Sequence, residues 1–316
     1  MRYLVFISIL MVAIFAKDIE PYLKIDVNAS AKDLVLVEDN KIAIGCDDSS
    51  LKVYDYINKK FTKVIKLPKI KDFMGDIIDT RASSIDYLNG KYLILSDSGV
   101  GGYSDLRIFD NELKDIFSEK DKLAIIKARF IDDTHILLGF LSNEVALYDV
   151  KNKKFLYRIQ LNESRFSDFA LNEDKSLVAF ACESGEVTVV QVKDGKIVKK
   201  LSGANLDNIF SVDFKKDIVS CGGKDRRASW YNIKSGKSDY ILAKFFVYAT
   251  ALSPDSKMIA FTLDEKNNIT IINRETKEKK YILKGQKSTL NTIIFKDKDT
   301  LFSASDDNIV IMWKLK

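Results

Sequence analysis

The chain has 316 residues, of which 46% are hydrophobic and 30% are charged, which is ordinary for a folded protein with a sizeable core and excludes a disordered chain. The net charge is +5, and the surplus comes from lysines that are scattered through the sequence. A nucleic-acid groove favours clustered arginines with interleaved aromatic residues. The composition therefore argues against a nucleic-acid-binding protein.

The chain begins with a basic residue, Arg2, and an apolar run from Tyr3 to Ala16. This run is too short to cross a bilayer. A basic start, a short apolar core and a small final residue are typical of a secretory signal peptide. We predict a signal peptide over residues 1–16 and a periplasmic protein over residues 17–316 that has no stable membrane span after cleavage. An uncleaved N-terminal anchor is the alternative.

A short motif follows the predicted cleavage site. Asp26, Asn28 and Ser30 stand at the spacing of the extended acidic sequon that some bacterial N-glycosylation systems use. Asn28 is therefore a candidate glycosylation site of an exported protein, because the modification is attached to Asn in such a sequon.

Internal repetition is the most informative feature of the sequence. A strand that ends in a short aromatic or aliphatic tripeptide recurs at intervals of about 40 residues, the length of one four-stranded propeller blade. Only the first interval is longer. The seven copies lie at residues 53–55, 108–110, 147–149, 189–191, 230–232, 271–273 and 311–313. Turn residues between the strands fit hairpins, and no stretch after the apolar run has a sustained helical period, so we predict an all-β protein of seven blades.

The two ends of the repeat array predict how the ring closes. Only three residues follow Trp313, so the last blade lacks an outer strand, while the strand at Tyr22–Val27 precedes the first complete set. We predict that this N-terminal strand completes the last blade, because pairing it there removes an exposed sheet edge.

The cysteines form neither a disulfide framework nor a metal motif. Cys46, Cys182 and Cys221 are an odd number at long spacings, and each ends an apolar, strand-like run. We interpret them as small buried strand residues.

Acidic residues recur in the turns expected between the second and third strands of the blades. Because Asp in a tight turn commonly accepts a hydrogen bond from its own backbone, we favour that role over a calcium or catalytic ring. These residues are Asp47, Asp48, Asp105, Asp225, Asp264, Asp306 and Asp307. His135 is the only histidine, and no nucleophile or phosphate-binding motif occurs. We therefore predict no catalytic residue, no cofactor and no metal.

Three stretches carry a resemblance to a known family. Residues 303–313, SASDDNIVIMW, resemble the strand-turn-strand ending of a WD40 repeat, and residues 221–230 and 252–260 are similar in form to other parts of such a blade. The Gly-His pair of many WD40 blades is missing; Gly285-Gln286 is its nearest trace, so a structural tetrad built on that histidine is absent. The resemblance implies a seven-bladed WD40-like β-propeller that binds a protein partner without catalysis.

Two function classes remain open on the sequence. A degenerate, exported propeller of this length resembles the NapL-type accessory proteins of periplasmic nitrate reductase, which implies a scaffold whose partner is a respiratory reductase component. The alternative is a propeller enzyme or cofactor binder, such as a lactonase-like hydrolase or a quinoprotein. A central channel lined by small and apolar residues would favour the scaffold, and convergent acids in the channel would favour the enzyme.

Loops that exceed the repeat are the places where we expect the partner to bind. The long first interval contains extra residues at 68–81 and 98–104, and the first of these loops contains Phe73 and Met74. On the same end we expect Phe166, Phe246 and three further partner-binding residues, because aromatic residues and arginine are enriched at interfaces. These three are Arg129, Arg165 and Phe245. The alternative for Phe246 and Tyr248 is one buried face of a strand.

Overall fold

The computed structural model describes residues 16–38 and 40–316, so the predicted signal peptide lies, except for Ala16, outside the described residues. The described chain is almost entirely β, with a single 3-10 turn at Glu119–Asp121. Within these residues, no helix has the length and apolar character needed to cross a membrane.

Blades 1 to 4 each contain four consecutive antiparallel strands and occupy the first two thirds of the chain. Blade 1 has β3 (Ala31–Val37), β4 (Lys41–Cys46), β5 (Ser50–Asp55) and β6 (Lys60–Lys66). Blade 2 has β9 (Ala82–Leu88), β10 (Lys91–Asp97), β11 (Ser104–Asp110) and β12 (Glu112–Phe117). Blade 3 has β13 (Ile125–Phe130), β14 (His135–Phe140), β15 (Glu144–Asp149) and β16 (Lys154–Gln160). Blade 4 has β17 (Phe166–Leu171), β18 (Leu177–Cys182), β19 (Val187–Gln191) and β20 (Ile197–Leu201).

The last three blades complete the ring, and two of them include N-terminal strands. Blade 5 has β21 (Ile209–Lys215), β22 (Ile218–Gly223), β23 (Arg227–Asn232) and β24 (Ser238–Leu242). Blade 6 has β25 (Thr250–Leu252), β26 (Met258–Thr262), β27 (Ile269–Asn273) and β28 (Lys279–Leu283), with β1 (Lys17–Ile19) on its outer edge. Blade 7 has β29 (Leu290–Phe295), β30 (Thr300–Ser305), β31 (Ile309–Lys314) and, outermost, β2 (Leu23–Asp26). The seven recurring tripeptides lie on the third strands, so the predicted seven-bladed propeller is confirmed.

The hydrophobic core is divided among the interfaces between blades. Each sheet buries both faces of its inner strands against its two neighbours, as expected of sheets that pack face to face. Seven apolar clusters join seven successive pairs of blades. One of them joins blade 7 to blade 1 through Phe302 and Ile42. The apolar packing therefore runs around the whole ring.

The N-terminal strands close this ring. β2 pairs antiparallel with β31, from Leu23 opposite Met312 to Asp26 opposite Ile309, which confirms the predicted closing strand. The structure adds β1, which the sequence did not predict and which pairs parallel with β28 of blade 6. Because β1 and β2 lie on adjacent blades, the same N-terminal segment holds blades 6 and 7 together on their outer edges.

An amide takes the place of the missing histidine in the last blade. The Trp313 indole donates to Ser303 Oγ (2.8 Å), and the Ser303 hydroxyl donates to Gln286 Oε1 (3.0 Å). Gln286 Nε2 then donates to Ser305 Oγ (2.5 Å). Asn205 forms a similar network in blade 5 with Ser229. These buried networks join the loop before a blade to its inner strands, as a histidine-based tetrad would.

The cysteines lie where the sequence placed them. Cys46, Cys182 and Cys221 are all buried and unpaired on second strands; the first two end β4 and β18, and Cys221 lies within β22. This confirms their interpretation as packing residues.

Candidate functional site

The alternation of strand direction gives the propeller two different ends. Connections from one blade to the next share an end with the turns between second and third strands; we call this the upper end. The turns between first and second strands and between third and fourth strands form the lower end. The first strand of each blade lines the central channel. The enlarged loops at 67–81 and 98–103 both lie on the upper end.

The loop between blades 1 and 2 forms a small hairpin. Its strands are β7 (Ile70–Lys71) and β8 (Ile77–Ile78). The Asp72 carboxylate accepts the N–H groups of Met74 and Asp76 (both 2.9 Å), which orders the tip. The sequence predicted an enlarged loop here but not a hairpin. The tip presents Phe73 and Met74 to solvent, with 92% and 72% of their surface exposed.

The hairpin is held against its surroundings at its base. Ser49 and Thr80 bond reciprocally: the Thr80 N–H donates to Ser49 Oγ (2.9 Å) and the Ser49 N–H donates to the Thr80 carbonyl (3.1 Å). On the other side, Gly99 packs so closely that a β-carbon there would stand 2.3 Å from the Lys71 carbonyl oxygen. Because Gly99 also has a positive φ, this contact requires glycine. The apolar tip therefore stands on a fixed support.

A second apolar feature of the upper end is an aromatic cluster where blade 5 meets blade 6. Phe210 stacks on Tyr248 with ring centroids 5.2 Å apart, and Phe245 stacks on Phe246 at 5.0 Å. The alternative interpretation of Phe246 and Tyr248 as one buried strand face is wrong. Both lie in the connection before β25 and are half-buried, because Val247 and Ala249 point into the core instead.

The structure separates the other predicted partner-binding residues. Arg165 is exposed on the upper end, 4.0 Å from the Glu183 carboxylate. Phe245 belongs to the aromatic cluster, away from the hairpin that carries Phe73. Arg129 does not join either feature: it lies in the channel, where its guanidinium contacts Asp33 at 2.9 Å. The expectation for Phe166 is wrong, because its ring is buried in the core between blades 3 and 4.

The central channel has a cavity of about 580 Å³ and a polar lining that the sequence interpretation missed. In four blades the first strand carries an Asp with two backbone hydrogen bonds. Its Oδ1 accepts the N–H of the following residue, and its Oδ2 accepts an N–H from the next blade. The second bond runs from Ile85 to Asp33, from Phe130 to Asp86, from Val212 to Asp168 and from Leu252 to Asp213, at 2.7–2.9 Å. The sequence signal for this lining was an Asp followed by an apolar or aromatic residue, which recurs in the first strands of these four blades.

Basic side chains balance these acids. Arg129 Nη1 donates to Ser84 Oγ (2.7 Å) while its Nη2 contacts Asp33, and Lys127 Nζ lies 2.6 Å from Asp168. Desolvation raises the pKa of Asp86, although the nearby Arg129 charge opposes the shift. The channel lining contains four acids, Asp33, Asp86, Asp168 and Asp213, and four bases, Lys32, Lys127, Arg129 and Lys215.

The channel thus matches neither of the two expected linings. It has convergent acids, but each has both carboxylate oxygens occupied by backbone N–H groups. A general acid or base must reach a substrate proton, and these carboxylates instead satisfy the inner edges of neighbouring sheets. Among the described residues, no group of His, Cys, Asp and Glu could hold a metal ion.

Three of the seven turn aspartates have the role that we favoured: Asp225, Asp264 and Asp307 each accept the N–H of the residue two positions later. Asp225 Oδ2 accepts the Leu206 N–H (2.8 Å), and Asp307 Oδ1 accepts the Ile309 N–H (2.9 Å). The other four differ. Asp48, Asp105 and Asp306 pair with Lys52, Arg107 and Lys32, each at 2.8 Å, and Asp47 accepts the Ser30 N–H from the preceding connection. These carboxylates stabilise turns and strand ends.

Comparison with known families agrees with this architecture. The family described as WD domain, G-beta repeat matches residues 277–314, which contain the fourth strand of blade 6, β28, and the three C-terminal strands of blade 7. No curated protein matches this chain. The seven blades and the matching repeat define a WD40-like seven-bladed β-propeller, a class whose members are typically protein-interaction scaffolds without catalysis.

Proposed function

We propose that this propeller is a non-catalytic scaffold that holds a protein partner on its upper end, with Phe73 and Met74 as the anchor. The observation that carries the proposal is the almost complete exposure of two large apolar side chains on an ordered hairpin. Exposed apolar groups on a fixed support are typical of interaction sites.

The hairpin is suited to binding for an energetic reason. Burying an apolar side chain of this size stabilises a complex by roughly 1.5–3 kcal/mol. Binding also costs conformational entropy when a loop must be ordered. The Asp72 bonds and the Gly99 contact order the hairpin before any partner arrives. More of the burial energy is therefore available for affinity.

The channel supports the non-catalytic part of the proposal. Its carboxylates join blade to blade, and its charged side chains balance one another. A propeller hydrolase or quinoprotein would instead need side chains directed at a substrate or cofactor in the channel. The chemistry of the lining favours structural cohesion.

We further propose that the protein is exported and that its partner is a component of a periplasmic respiratory reductase, in the manner of the NapL-type accessory proteins. The apolar run that ends at Ala16 supports export. The degenerate propeller form supports the accessory role. In this arrangement the protein would assist assembly of, or electron delivery to, a nitrate reductase without a redox group of its own.

The test compares partner capture by three forms of the protein from the periplasm of its own host. The binding variant is Phe73→Ser with Met74→Ser. The matched control is Ile57→Ser, which removes an exposed apolar side chain from the lower end. We expect the wild type and the control to retain a nitrate reductase subunit, as identified by mass spectrometry, and the hairpin variant to lose it.

The outcomes separate the parts of the proposal. Equal capture by all three forms would contradict the hairpin as anchor. Specific capture of a protein unrelated to respiration would contradict the reductase while leaving the scaffold intact. Turnover of a substrate by the purified protein would contradict the non-catalytic assignment.

A further inference from the structure

The upper rim of blade 5 is built around one turn, Gly223–Arg226, to which the loops on both sides are hydrogen-bonded. The Leu206 N–H donates to Asp225 Oδ2 (2.8 Å), and the Lys224 N–H donates to the Asn208 carbonyl (2.8 Å). From the other side, the Ala243 N–H donates to the Arg226 carbonyl (2.8 Å). These bonds fix the loops at 202–208 and 243–249 relative to each other.

This fixed rim exposes apolar side chains. Leu206 and Leu242 are 66% and 67% exposed, and Phe245 is 37% exposed at the edge of the aromatic cluster. Leu242 on β24 pairs with Arg227, the residue that follows the Gly223–Arg226 turn. We call Leu206, Lys224, Arg226, Leu242, Lys244 and Phe245 the blade 5 surface.

The charges of the blade 5 surface that lack an ion-pair partner among the described residues are positive. Arg226 and Lys244 are exposed, and neither has an ion-pair partner in the part of the chain that the structure describes. Lys224 lies 3.8 Å from Asp207, so these two charges compensate. Asp225 is held by the backbone N–H groups of Leu206 and Arg227. Two free cations therefore stand among three exposed apolar side chains.

We propose that the blade 5 surface binds an acidic, apolar peptide segment of a protein partner, in which Asp or Glu alternates with Leu, Phe or similar side chains. The apolar residues would cover Leu206, Leu242 and Phe245, and the carboxylates would pair with Arg226 and Lys244. Electrostatic complementarity of this kind selects partners and accelerates their association. The inference rests on the proposed scaffold function and adds the chemistry of one partner segment.

A peptide fits this surface better than single-stranded nucleic acid does. Nucleic acid needs a groove of several cations and aromatic faces that are free for base stacking. Phe210 and Phe245 each already stack one ring face on Tyr248 and Phe246. Aliphatic side chains such as Leu206 offer no stacking face. The surface is suited to apolar contacts flanked by ion pairs.

The test selects ligands from a displayed library of random short peptides on the purified protein. We expect the enriched peptides to combine acidic with apolar residues. The charge variant is Arg226→Glu with Lys244→Glu. Its matched control is Lys153→Glu with Lys154→Glu, the same change in net charge at two exposed residues of the lower end. For a synthetic peptide of the enriched type, fluorescence anisotropy should show affinity about tenfold weaker for the charge variant and unchanged for the control.

Further measurements make the inference refutable and independent of the hairpin. Enriched peptides without acidic residues, equal weakening in the control, or tighter binding of a fluorescent oligo(dT) would each overturn it. The Phe73→Ser, Met74→Ser variant should bind the acidic peptide normally. Loss of partner capture in that variant, with peptide binding intact, would support the hairpin alone. Intact capture would refute the hairpin while leaving the peptide result valid.

Discussion

Removing the Asp33 carboxylate should destabilise the propeller more than loss of any surface charge does. Asp33 Oδ1 accepts the Leu34 N–H, and its Oδ2 accepts both the Ile85 N–H and the Arg129 guanidinium, each at 2.9 Å. Both members of the ion pair are largely buried. In Asp33→Ala, a buried guanidinium and an inter-blade N–H therefore lose their acceptor.

The expected size follows from this geometry. Breaking a buried ion pair by removing one partner costs about 3–5 kcal/mol. Arg129→Ala should cost less, about 2 kcal/mol, because two backbone N–H groups still stabilise the remaining carboxylate. The double variant should be about as stable as Asp33→Ala alone, since the two residues act on each other. Asp133→Ala, which breaks an exposed pair with Lys91, should cost less than about 1 kcal/mol.

Urea unfolding followed by tryptophan fluorescence measures these differences. Trp230 in blade 5 and Trp313 at the ring closure are both buried in the native protein and should report unfolding. A stability of Asp33→Ala equal to that of Asp133→Ala would refute the structural role of the channel aspartates. Folded Arg129→Ala should also capture its partner normally, and loss of capture would return Arg129 to the partner-binding surface.

Three further predictions test ring closure, the channel and the thiols. Ile25→Ala should cost about 2–5 kcal/mol in urea unfolding, because Ile25 packs between blades 7 and 1; an unchanged midpoint would contradict closure by β2. Burial raises the pKa of Asp86, so the native state holds the Asp86 proton more tightly than the unfolded chain does. The stability of the wild type relative to Asp86→Asn should therefore fall as pH rises through the native pKa of Asp86. Thermal melts that show the same difference at every pH would refute this. Burial also raises the pKa of Cys46 to about 12 and that of Cys221 further, so maleimide should label them only after unfolding; labelling of the native protein would contradict their burial.

Local patterns in the sequence were sufficient to predict the architecture. Apolar tripeptides at a regular interval identify the third strands of the blades, and turn residues separate the strands. The spare strand at Tyr22–Val27 predicted the ring closure because it balanced a missing strand after Trp313. The cysteines could be assigned for the same reason, since each lies in an apolar run that forms the buried second strand of a blade.

The candidate sites were only partly predictable. The enlarged loop and its residues Phe73 and Met74 stood out because they interrupt the repeat. The aromatic cluster did not, since alternation of Phe246 and Tyr248 also fits a buried strand face. Only the folded connection before β25 shows that the side chain of Val247, and not those of its two neighbours, points into the core.

The sequence by itself determined the number of blades, their strand order and the closing strand, because these depend on the periodicity of neighbouring residues. The tertiary structure decided which groups meet across blades. Asp33 and Ile85 are 52 residues apart, and Asp33 and Arg129 are 96 apart. Such contacts depend on the register of each first strand, including the irregularity between Ala31 and Asp33, and on the packing of successive sheets. A local pattern carries no information about that register, so the channel network and the pairing of β1 emerged only from the folded ring.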